Sequence, residues 1–220
     1  MLSFLRVSLF SLLFLSACSS KSPLNSWQYE SAKFSSSYTK HFLQDKELRA
    51  SSDLRHARQF ASKSANFKTL IDIELTACAM QISVLEEISC ESVSDLLLLQ
   101  PNSAQSAYLH LLKNSFQESD IKLLPKHYHD FARAKLNKDT SLINKTLKEI
   151  EILSSRLVSS ALVKKDISIE NINVLIQELS FRGYKKPLLS WLKLKIKKIN
   201  DEEEKIRLRA KIKVLSTSIE

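Results

Sequence analysis

Residues 67–85 read FKTLIDIELTACAMQISVL. Phe67, Leu70, Ile71, Ile73, Leu75, Cys78, Ile82 and Leu85 recur at helical intervals, spread over a broad arc, and predict a largely buried helix. A helix that is apolar on most sides needs other helices around it, and the flanking chain supplies them. On the N-terminal side Trp27, Phe34, Tyr38 and Phe42 share a face, predicting a helix from about Trp27 to Leu43. Asp53 is a candidate cap for a second helix running to about Ser64, in which Ala57, Ala61 and Ala65 fall at every fourth position and let a neighbour approach closely.

Towards the C-terminus a short helix over about Ser92 to Leu99 must stop before Pro101, because the residue ahead of proline is pushed out of the helical region. Asn102 caps the run containing Ala104, Tyr108, Leu111 and Leu112, and Pro125 opens a helix carrying Tyr128, Phe131 and Leu136. Asp139 or Thr140 begins the longest predicted segment, with Ile143, Leu147, Ile150, Leu153, Leu157 and Leu162 as its stripe. After a break at 164–168, which is a candidate sub-boundary, Ser168 caps Ile172, Leu175, Ile176 and Leu179, and Gly183 sits where a left-handed terminator is wanted. Pro187 opens a helix through Ile199, and a charged helix fills Asp201 to about Leu215.

About ten helices and no strand-like run make residues 27–220 a single all-α domain of antiparallel helical hairpins. The segment Gly183-Tyr184-Lys185-Lys186-Pro187-Leu188-Leu189-Ser190-Trp191-Leu192 resembles the turn and second helix of a tetratricopeptide repeat. That family usually has a small residue where Leu188 stands, and its tryptophan, glycine and tyrosine spacing in the first helix is missing. The resemblance implies a helical repeat; an irregular helical bundle is the alternative.

A single glycine among 220 residues removes phosphate loops, dinucleotide fingerprints and nucleophile elbows, each of which needs several glycines. His127 and His129 point about 200° apart on a helix and do not share a metal ion easily. Glu149 and Glu151 diverge in the same way, and no serine has a recognisable base. The expectation is a chain without enzymatic activity, cofactor or metal.

The N-terminus carries an address. Arg6 precedes the apolar run 7–15, which is too short for a spanning helix of ~20 residues and reads as a secretory signal over residues 1–17. Its end, Leu15-Ser16-Ala17-Cys18, resembles at all four positions the lipobox of bacterial lipoproteins. The resemblance implies cleavage between Ala17 and Cys18, diacylglycerol on the Cys18 sulfur and an amide-linked acyl chain such as palmitate. Two such signals suffice for stable membrane attachment. Residues 18–26 then form a polar, flexible tether. Ser19 in place of aspartate implies, by the enterobacterial sorting rule, the outer membrane and a periplasm-facing domain.

Export makes Cys78 and Cys90 a disulfide candidate. On one unbroken helix they would lie about 18 Å apart, so a bond demands a turn between them, for which Glu86-Glu87-Ile88-Ser89 is a candidate. Two buried free thiols are the alternative.

Charge is concentrated at the C-terminal end, where residues 181–220 hold twelve Lys or Arg against five Asp or Glu, out of a formal net charge of +9. Arg182, Lys185, Lys186, Lys193, Lys195, Lys197 and Lys198 occur without an intervening acid. Such a face suits anionic lipid, peptidoglycan carboxylates or an acidic protein partner, and in an exported chain not nucleic acid; a solvated helix face is the alternative. Tyr184 and Trp191 read as packing residues that would anchor a partner if exposed. The expected role is a lipid-anchored envelope adaptor or scaffold binding another envelope protein. An envelope enzyme acting on peptidoglycan, and a spacer gripping the cell wall through its basic end, are the competing readings.

Overall fold

The structure, a computed structural model, describes residues 25–63 and 67–217. The signal segment, Ala17, Cys18, most of the tether, and Ser64 and Ala65 lie outside the described residues. The first part of the chain forms α1 (Ser26–Leu43), α2 (Glu47–Ala61), α3 (Lys68–Ser83), α4 (Glu91–Leu99), α5 (Ser103–Leu112) and α6 (Glu118–Ile121). A 3-10 turn, Lys126–Tyr128, leads to α7 (His129–Leu136), α8 (Thr140–Glu149), α9 (Leu153–Leu162), α10 (Ile169–Phe181), α11 (Lys185–Lys198) and α12 (Glu202–Ser216). Among the described residues there is no strand, and the chain is all-α.

Side-chain caps start several of these helices. Asn102 Oδ1 accepts from Gln105 N at 3.1 Å, Asp139 Oδ1 from Leu142 N at 2.9 Å, Ser168 Oγ from Asn171 N at 3.2 Å and Asp201 Oδ1 from Glu204 N at 3.0 Å. Asp53 is not a cap. The chain reverses directly after α1 through Asp45 in the left-handed region, so α2 begins at Glu47 and places Asp53 inside it, 2.6 Å from His41 Nδ1 on α1. With a single glycine, at φ +66, the other left-handed turns fall on Asp45, Leu85, Cys90, Asn114 and Lys138. Asp and Asn tolerate that region, whereas for leucine it costs roughly 1–2 kcal/mol.

The long predicted segment is two helices. Ile150 and Ile152 take extended backbone, Ile150 is buried, and the break turns α9 onto α3, where Leu157 and Val158 are buried. Pro125 precedes the 3-10 turn rather than entering a helix, with His129 Nε2 2.9 Å from the Leu124 carbonyl oxygen.

Helix α3 is the hub. It packs against α1, α2, α4, α5 and α9, and Ile71, Ile73, Leu75, Cys78, Met80 and Ile82 are all buried along it. Its one buried acid, Glu74, accepts from Arg58 through both carboxylate oxygens, with Nη2–Oε2 at 2.7 Å. That pairing spares Glu74 the cost of an isolated buried charge. At the end of α3 the Ser83 carbonyl, one of those a helix leaves without an intrahelical partner, accepts from Trp191 Nε1 at 3.1 Å. Helix α11 therefore reaches back across 108 residues, and it also packs on α1. In an open solenoid each hairpin meets only its neighbours; these long-range contacts have the geometry of a closed helical bundle. One buried cluster runs from Tyr38 to Leu208, and Val163 and Ile167 carry it through 164–168.

Cys78, on α3, and Cys90, directly before α4, are paired in the structure with Cα atoms 5.7 Å apart. The intervening segment makes the turn that such a bond requires, and both residues are buried.

Candidate functional site

The basic run 182–198 does not form one face. Arg182 pairs with Glu178 on the preceding helical turn, Lys185 with Asp45 at 3.5 Å, and Lys186 with Glu47 at 3.1 Å while lying 4.5 Å over the Phe42 ring. Lys195 pairs with Glu204. Trp191 is fully buried, so it is a core residue and not an exposed anchor, and Tyr184 packs half-buried against the same core. The physical reason is positional: the first turn of α11 abuts the α1–α2 corner, where Asp45 and Glu47 supply counter-charge.

Lys193, Lys197 and Lys198 lie further along α11, beyond the reach of those acids. The structure brings them together with Lys164 and Lys165 around a groove of about 470 Å³ whose floor is Val84, Leu85 and Leu194. Val163 and Ile167, both buried, pin the α9–α10 connection and set the two lysines between them facing α11. Lys198 Nζ donates to the Lys165 carbonyl at 2.7 Å, and Lys164 Nζ reaches Glu87 at 2.9 Å. That ammonium holds the Glu87 carboxyl below its ordinary range. Lys165, Lys193 and Lys197 are exposed and make no ion pair among the described residues. In the sequence Lys164 and Lys165 mark only a break; two adjacent lysines in a linker give no hint of the helix they will face.

A second and larger groove, about 850 Å³, lies between α10, α11 and α12. Ile176, Leu188, Leu192, Leu208, Val214 and Leu215 line it, with Arg207 and Lys211 at its edge. At 100° per residue Leu188, Leu192 and Lys195 fall within about 60° on α11, while Ser190, Lys193, Leu194 and Lys197 occupy the opposite side. One helix thus separates this groove from the one lined by lysines. Leu208 is the buried residue of α12, so that helix covers the bundle only lightly.

A third cleft, between α3, α5 and the 3-10 turn, contains Asp72, Gln105, Tyr108, His127 and Ser155. Asp72 is engaged by Gln105 Nε2 at 2.6 Å, and the Tyr108 and Tyr128 hydroxyls meet at 3.3 Å. Burial pushes both phenols up and the His127 imidazole down. His127 Nε2 is buried there without a hydrogen-bond partner among the described residues. Among the described residues no three His, Cys, Asp or Glu side chains gather as a metal set, and no helix is long and apolar enough to cross a membrane.

A scan against protein-family models returned no match, and searches of curated proteins and of solved structures returned none.

Proposed function

We propose that this chain is a bacterial lipoprotein, held in the cell envelope through acylated Cys18, that works as a helical adaptor for another envelope protein. The carrying observation is the groove of about 850 Å³ between α10, α11 and α12, whose apolar and charged lining residues suit an amphipathic segment of a partner. The lipobox-like Leu15-Ser16-Ala17-Cys18 and the pairing of Cys78 with Cys90, a bond that persists outside the cytoplasm, support the location. Ser19 favours the outer membrane, with the domain facing the periplasm.

A photo-crosslinking residue at position 211, on the rim of that groove, tests this in intact cells. The expected result is one specific envelope-protein adduct that Leu215→Glu abolishes without changing the helical circular dichroism. Absence of any adduct, together with release of peptidoglycan fragments by the purified protein, overturns the adaptor in favour of an envelope enzyme. The unpaired lysines support a second reading, a spacer gripping the wall, for which salt-sensitive cosedimentation with purified sacculi is the test.

A further inference from the structure

The lysine groove is on the face of α11 opposite the larger one, so a partner seated between α10 and α12 leaves it open. From its chemistry we infer that the groove is a docking site for the phosphate headgroups of anionic phospholipid. This rests on the reading that Cys18 carries a lipid.

Three observations carry it. The lining of the groove contains five lysines and no acid; Lys193 and Lys197 make no ion pair among the described residues, and Lys165 has only the longer-range attraction of Glu87, which Lys164 engages directly, in contrast to Lys185, Lys186 and Lys195 on α11. The rim has no arginine. Lysine ammonium groups are compact point charges on flexible stems, and a cluster of them attracts anionic headgroups without needing one fixed geometry. Val84, Leu85 and Leu194 form an apolar floor beneath those ammonium groups, so the lysine stems rest on hydrocarbon while their heads reach outward, as at a membrane interface. Reach agrees with this. Seven residues separate Cys18 from the start of α1, at most about 25 Å of extended chain, which keeps the domain beside the bilayer that anchors it.

The test uses the full acylated chain, held by its anchor in vesicles of pure phosphatidylcholine or of phosphatidylcholine with 30% phosphatidylglycerol. Amine acetylation of each lysine is read by mass spectrometry. In dilute salt Lys165, Lys193 and Lys197 should react at least about threefold more slowly on the anionic vesicles. The difference should vanish at high salt, as screening of exposed charges requires, and at Lys165 in the exposed-site variant K193E/K197E. Equal rates on both vesicles overturn the inference. So does protection seen only with whole envelopes or purified sacculi, which would assign the groove to an acidic protein or to wall carboxylates. Flotation with phosphatidylcholine alone reports the anchor separately. A chain that fails that flotation sinks the lipoprotein reading, and its low-salt flotation with phosphatidylglycerol, lost in K193E/K197E, still decides the groove.

Discussion

Trp191 shows how one side chain can carry opposite meanings until its surroundings are known. Beside Lys185 and Lys186 it reads as a packing residue that would anchor a partner if exposed; in the fold it is sealed in the core and donates to the orphan Ser83 carbonyl. Nothing in residues 183–192 points to position 83, so the choice was not legible locally. Trp191→Phe keeps much of the packing but leaves that carbonyl unpaired, and should lower unfolding stability by about 2 kcal/mol in urea titrations. Trp191→Ala should cost about 3–5 kcal/mol. Gly183 was legible, because a left-handed terminator after a helix has a local signature, and it adopts φ +66.

Tyr38 yields a pH dependence. Burial pushes its hydroxyl up to about 12, the largest effect on a group that Arg58 tends to lower and Glu86 and Glu74 to raise. Below pH 10 the phenol is protonated in folded and unfolded chains alike, and its contribution to stability is complete. Between pH 10 and 12 the unfolded chain releases a proton that the folded chain retains, so stability falls as pH rises through that window. Denaturation midpoints measured across it should drop less steeply for Tyr38→Phe than for the native protein.

At the scale of elements, helices were legible where a cap stands beside a periodic stripe: Asn102, Asp139 and Ser168 all cap in the structure. The break at Ile150–Ile152 was hidden because the three- and four-residue spacing from Ile143 to Leu157 continues across it, although the helix axis does not. The α3–α4 connection shows a turn assembled without glycine, with Leu85 and Cys90 both left-handed at its two ends and Cys90 paired to Cys78. Reduction, or Cys78→Ala, should lower stability by about 3 kcal/mol in the chain-entropy picture, read as a shift of the urea midpoint with and without reductant. Two alkylatable thiols in freshly extracted protein would contradict the pairing. Because Val84 and Leu85 belong to the same connection, reduction should also loosen the floor of the lysine groove.

At the scale of the whole molecule, the division of the C-terminal charge decides what the surface can do. Composition shows the excess but not its fate: acids more than a hundred residues earlier neutralise Lys185 and Lys186, while the α9–α10 connection adds two further lysines to those that remain. The groove between α10, α11 and α12 was likewise invisible, since Ile176 and Leu215 look like core positions on amphipathic helices until α12 is seen to leave them half-buried, whereas Leu192 beneath them is buried. Both proposed roles require a domain held beside a bilayer outside the cytoplasm. The measurement that tests this most directly is the intact mass of the protein extracted from bacterial envelopes. The account predicts a chain beginning at Cys18 and heavier than its amino acids by a diacylglyceryl group and an acyl chain. A chain that still begins at Met1 and carries no added lipid mass would contradict it.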